Sequence, residues 1–199
     1  MKKYIVPIIV IFLVAAGIFI WFEIVAPARA AARDLEAING IAVGKTTEAE
    51  LLGRSAFQTI DRRCIEADCF YHTERTNNFL KLLHLGPPTF FGTAVWVRNG
   101  MVAQVAVFVS REGLTPISLF QQTSLPAGCA SNPCVKPLIP PNKKLASIRI
   151  IFTDESEFRN RMPEAVQASC LSRIHGCTTY SELMPLTRNL GLDALGASK

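Results

Sequence analysis

The sequence predicts an α+β fold: an N-terminal transmembrane helix followed by a two-layer domain of helices packed on an antiparallel sheet. Three observations lead there. Residues 4–22 form a run of nineteen without a formal charge. Asn99-Gly100 separates two β-rich runs, the strongest short-range hairpin signal. Helix-start signals at Thr47 and near Pro163 flank that hairpin, with strand alternation over 145–153 between them.

The apolar run begins at Tyr4 and ends at Phe22. As a helix it is about 28 Å long, close to the hydrocarbon thickness of a bilayer. Its Ile, Val, Leu and Phe residues favour insertion by about 4–8 kcal/mol in sum. Pro7 lies in the first turn, where a missing amide donor costs little. Tyr4 and Trp21 occupy the two aromatic-belt positions. Lys2 and Lys3 favour a cytoplasmic N-terminus, while Arg29 and Arg33 oppose it. A cleaved signal peptide is the competing reading, since Ala26-Pro27-Ala28 and Ala28-Arg29-Ala30 both match a small-residue cleavage site. The apolar run exceeds the usual signal-peptide length, which favours an uncleaved anchor.

Four regions follow: residues 1–25 as signal-anchor, 26–40 as a helical stalk, 41–188 as the extracytoplasmic α+β domain and 189–199 as a flexible tail. The stalk is Ala-rich and stops at Asn39-Gly40. Thr47 and Glu50 have capping-box spacing, and Gly53 ends or bends the helix they start. Gly44-Lys45-Thr46 is not a phosphate loop, because position 39, where the pattern needs Gly, is Asn. A short strand is expected around Phe70 and Thr73. Phe79, Leu80, Leu82 and Leu83 suit a short helix or loop ended by Pro87-Pro88.

A two-residue turn at Asn99-Gly100 pairs Arg98 with Met101, Trp96 with Ala103 and Ala94 with Val105. Strict alternation then places Phe90, Ala94, Trp96, Ala103, Val105, Val107 and Val109 on one face. Both faces are apolar, so the hairpin belongs in the centre of the sheet, with the Trp96 face toward the helices. Residues 114–123 read as an irregular edge strand and 126–142 as a Pro-rich loop. Residues 145–153 read as a half-buried strand. Pro163 is placed at the first turn of the next helix. Thr179 and Glu182 cap a last short turn before Pro185.

The formal charge is +5 with a pI near 9.0, but the basic residues are scattered and no nucleic-acid motif appears. A solvated basic surface near anionic lipid is the better reading, and nucleic acid is not an expected partner. The six cysteines fall into three close pairs: Cys64 and Cys69, Cys129 and Cys134, Cys170 and Cys177. An even count in a membrane-displayed domain suggests disulfides and places the domain outside the cytoplasm. Spacing alone does not fix the connectivity, though proximity favours the local pairs. Cys129 and Cys134 lead, because Ala130-Ser131-Asn132-Pro133 is a turn-forming loop.

Two alternatives use the same residues. His72 lies near Cys64 and Cys69, and His175 near Cys170 and Cys177, but neither spacing is a standard zinc pattern. A thiol-dependent enzyme would need a nucleophile signature, and a redox dithiol would show C-x-x-C; neither is present. His84 sits among leucines and reads as a core-edge residue. No catalytic, cofactor-binding or metal residue is therefore assigned, and no cofactor is expected.

The stretch GKTTEAELL, followed by TAVWVRNGMVAQVAVFV, resembles the small lipoprotein of the outer-membrane barrel-assembly machinery and its SmpA/OmlA-like superfamily. The resemblance implies a helix start preceding an antiparallel sheet in a two-layer α+β domain. It spans residues 41–109. The lipidated cysteine of that lipoprotein has no counterpart here, and its L-G-x-P survives only as Leu52-Gly53. Together with Asp68-Cys69-Phe70 and Asn77-Asn78-Phe79-Leu80, these motifs also look like those of uncharacterised single-span bacterial membrane proteins. The expected function is a membrane-anchored extracytoplasmic binding or scaffold domain. Its partners are the bilayer, through the N-terminal helix, and a protein of an envelope complex.

Overall fold

The computed structural model describes residues 5–54, 57, 61–77, 89–111, 115–138, 147–173 and 179–190. The expectations for Tyr4, Phe79, Leu80, Leu82, Leu83, His84, Pro87-Pro88, His175 and Cys177 fall outside these residues, as do 191–199 of the tail.

The chain is α+β. Helix α1 runs from Ile5–Asn39 without a break and contains Pro27. It is long and apolar enough to cross a membrane. Its apolar residues from Ile8 to Phe22 are solvent-exposed almost throughout. Farther along, the helix changes character. Ala31, Asp34 and Ile38 are buried against the sheet. Asp34 receives a forked pair of hydrogen bonds from Arg75, at 2.7 and 3.2 Å. The segment read as a stalk is thus the packed half of one continuous helix. Arg54 closes its end by donating to the carbonyls of Gly40 at 2.9 Å and Ala37 at 3.4 Å.

Helix α2, Glu48–Leu52, starts at a full capping box. Glu50 N–H donates to the Thr47 hydroxyl at 3.2 Å, and Thr47 N–H donates to the Glu50 carboxylate at 2.8 Å.

Among the described residues, seven strands form one sheet: β1 Asp61–Ile65, β2 Asp68–Thr76, β3 Thr89–Arg98, β4 Met101–Arg111, β5 Ile117–Gln122, β6 Cys134–Leu138 and β7 Ser147–Phe152. Their order is β1-β2-β3-β4-β5-β7-β6, antiparallel except for the β5–β7 pair. The β3–β4 hairpin is central, as its two apolar faces require. Asn99 and Gly100 turn it with φ of 50° and 74°, the left-handed geometry of a type I′ turn.

One expectation for this hairpin fails. Trp96 pairs with Gln104, not Ala103, and Ala94 pairs with Ala106, not Val105. Ala103 is the extra residue of a bulge opposite Trp96 and Val97. Past the bulge every β4 side chain changes face. Val102, Val105, Val107 and Val109 therefore join Val95, Val97 and Phe91 in the core with α1. Trp96 is on the other face, away from the helices. Compact branched side chains pack a helix–sheet interface closely, and the bulge lets β4 present all four of its valines there.

Three further differences concern the sheet's margins. Strand β1 had no signal, because all five of its residues are exposed and charge-rich. Strand β5 is internal rather than an edge, since β7 pairs with it in parallel. Strand β6 lies inside the segment read as loop, and its Pro137 fits an outer strand.

The last helices continue the core side. Helix α3, Glu155–Ala165, begins at Asp154, whose carboxylate accepts from Glu157 N–H at 2.9 Å. Position 163 therefore falls in its final turn, not its first. Phe158 and Met162 reach the same core as α1, and Phe158 meets Phe152 edge-on at 5.7 Å. A 3₁₀ turn at Ala168–Ser172 and helices α4, Tyr180–Leu183, and α5, Leu186–Asn189, are the last elements of the described residues. Thr179 accepts from Glu182 N–H at 3.3 Å, the expected cap.

Candidate functional site

Two places concentrate chemistry, one at each face of the β1–β2–β3 corner. On the inner side, Glu48 at the start of α2 meets β1 and β2. It accepts from Arg62 Nη2 at 2.8 Å and from the Tyr71 hydroxyl. Arg62 also lies over the Tyr71 ring, 5.6 Å from its centroid. Tyr71 is nearly fully buried. Burial first, and then the Glu48 carboxylate, push its phenol up to about 12. A phenol held neutral in this way serves as a hydrogen-bond donor.

Cys64 and Cys69 sit beside this cluster as directly opposed residues of β1 and β2, joined by a disulfide with a Cα separation of 4.1 Å. The Glu48 carboxylate and both sulfurs lie within 4.8 Å of one another. The sulfurs are bonded to each other, whereas a metal would need them as thiolates, and Glu48 already holds Arg62 and Tyr71.

Cys129 and Cys134 form a second disulfide, with a Cα separation of 5.7 Å. The loop between them is pinned to the start of α3. Asn132 accepts from Thr153 N–H at 3.0 Å and donates to Glu157 at 2.8 Å. Cys170 is also disulfide-bonded, and Cys177 lies outside the described residues. The described cysteines thus lie in three separate places and do not converge on one centre.

The second place is the outer face. Its side chains alternate with the core residues along each strand. Phe70 on β2 stacks with His72 at 5.4 Å and meets Trp96 on β3 at 5.0 Å. Trp96 continues to Phe120 on β5 at 6.1 Å, and Arg149 on β7 lies over Phe120 at 5.3 Å. The rings pass above Ala94 and Ala106, which are each only 1% exposed. Gly92 belongs to the same face because the Phe108 ring lies where its Cβ would be, 2.1 Å away. All four rings of the array remain half-exposed, and among the described residues no helix packs on them.

At one end the array opens into a groove of about 820 Å³. Phe70, Trp96, Gln104 and Gln122 form its floor, one residue from each of four neighbouring strands. The Gln104 amide donates to Gln122 at 3.2 Å. The two hairpin turns form its rim, with Arg63, Glu66, Asp68 and Arg98. Arg98 donates to Asp68 at 3.3 Å. The sequence shows each of these residues, but their convergence depends on the bulge and on β5 lying beside β4. The chain matches no family model, and no curated protein or solved structure is significantly similar to it.

Proposed function

We propose that this is a single-pass membrane-anchored protein that displays a two-layer α+β binding module outside the cytoplasm. The half-exposed aromatic array on the outer sheet face carries this reading. A sheet buried on one side and lined with rings on the other has a face left over for a partner. The long apolar helix supports the anchor, and the disulfides support an oxidising compartment. The helix beyond the apolar run supports an uncleaved anchor. Asn77 donates to the Ile24 carbonyl at 3.3 Å, and Ala28 packs on the core. Cleavage after Ala28 or Ala30 would remove those contacts. The N-terminus is assigned to the cytoplasm. The likeness to the barrel-assembly lipoprotein superfamily adds an envelope complex as the setting.

The test combines fractionation with cross-linking in cells. The expected result is retention in alkali-washed membranes, with adducts from a photoreactive residue at Ser118 on the outer face. A soluble product starting near Ala31 would overturn the anchor. Absence of any adduct would overturn the binding face.

A further inference from the structure

We infer that the groove at the end of the aromatic array binds an uncharged saccharide through its pyranose rings, an inference that rests on the binding-module reading above. Its floor is a single row across four strands, two rings followed by two amides. A sugar ring presents the same division. Its axial C–H face is apolar and stacks on an aromatic ring, while its hydroxyls both donate and accept. Phe70 and Trp96 supply the rings. Gln104 and Gln122 supply groups that likewise donate and accept. Of their four amide functions, one donor–acceptor pair is used between them, and Gln122 gives a further donor to the Ser124 carbonyl at 2.6 Å. Ligand pockets of this kind combine apolar walls with a few polar groups that fix orientation, and the volume of about 820 Å³ lies in their range.

The rim charges balance. Arg63 and Arg98 face Glu66 and Asp68, and Arg98 is already paired with Asp68. A site for phosphate, nucleic acid or an acidic peptide would carry an excess of positive charge. A neutral rim complements a neutral ligand. Placement argues against lipid as the occupant. Asn77, just beyond β2, touches Ile24 of the anchor helix, whereas Asp68 at the groove is about 30 Å away along the strand. The groove thus faces away from the apolar run, toward whatever polymer lies beyond the membrane surface.

The test uses the full-length chain in detergent micelles, titrated with soluble neutral β-linked oligosaccharides of hexose and of N-acetylhexosamine. Tryptophan emission and calorimetry are the readouts, with Trp96→Phe correcting for Trp21. The expected result is saturable binding, weakened about tenfold by Trp96→Ala and by Gln122→Ala. Lys136→Ala, outside the groove, should leave it unchanged. Unaltered binding by folded Trp96→Ala, or no binding of any neutral saccharide, overturns the inference. A photoreactive residue at Gln104 separates the two levels. A protein adduct without saccharide binding leaves the outer face as a docking surface and removes the sugar. Neither adduct nor saccharide binding removes both.

Discussion

The inner and outer faces of the same four strands are both apolar, yet they are built differently. The inner face is Phe91, Val95, Val97 and the β4 valines, all nearly inaccessible and packed with α1, α3 and the closing helices. Two of its hydroxyls meet each other, Thr73 and Thr93, 2.8 Å apart across β2 and β3. The outer face is made of large rings held at half-burial over small alanines. Close-packed branched residues contribute stability. Rings left half-open contribute less stability and keep surface available for a ligand. The difference shows that hydrophobicity alone does not mark a core, because residue size and shape decide which face closes.

The largest effect should come from truncating one residue on each face. Phe91→Ala should cost about 3–5 kcal/mol, the range for a fully buried aromatic. Trp96→Ala should cost less, about 1–2 kcal/mol, because its ring is only partly buried where that of Phe91 is fully so. Denaturant unfolding of the full-length chain in detergent measures both. Equal losses would mean that the outer face is also closed, and would break the distinction.

Gly92→Ala comes next. The new methyl would meet the Phe108 ring at 2.1 Å and the Thr73 carbonyl at 2.8 Å. We expect a loss of about 1–3 kcal/mol from overpacking. Adding Phe108→Ala should recover part of it, since the ring is one of the two obstacles. A neutral Gly92→Ala would show that the ring does not rest on the strand.

Gly100→Val should cost about 1 kcal/mol or more. Nothing lies within 4 Å of the new Cβ, so the effect is chiefly backbone strain at φ +74°. The turn forms part of the groove rim, so thermal stability should drop while the inner core stays intact. An unchanged melting temperature would contradict the turn geometry.

The smallest effects are electrostatic, and they have opposite signs. Thr47 holds the Glu50 carboxyl below its usual range, through its backbone N–H and then its hydroxyl. The Ser156 hydroxyl, followed by Glu157 N–H, does the same for Asp154. Both carboxyls are depressed on folding, so their contribution is present above about pH 4 and lost as pH falls through the folded values. Tyr71 on the inner face is raised to about 12. Its contribution is complete below about pH 10 and lost as pH climbs through the folded value. Phenolate absorbance should show one late-ionising tyrosine that disappears in Tyr71→Phe. Tyr71 ionising together with the other tyrosines would show that its site is wet.

Local features were legible from composition and spacing. The apolar run specified a helix, because nineteen uncharged residues satisfy their own backbone only that way in lipid. Asn99-Gly100 specified the turn, because few residues tolerate two successive positive φ angles. Thr47 and Glu50 specified a helix start through a reciprocal pair of hydrogen bonds that needs no distant partner. The adjacent cysteines offered pairings that short turns can close.

Other features depended on contacts far along the chain. Alternation counts residues by twos, so it could not anticipate the extra residue at Ala103 that moves the β4 valines inward and leaves Trp96 outside. Strand β1 is exposed, so it carries no apolar pattern and exists because β2 offers it an edge. Strand β5 became internal when β7, about thirty residues later, added in parallel. The groove inherits all of these choices. The sequence by itself determined where helices start, where the central hairpin turns and which segment is apolar enough for a bilayer, since each rests on neighbours a few residues apart. Only the tertiary structure decided which sheet face was covered and which residues met at the groove, since both follow from register and strand order, set by packing between distant segments.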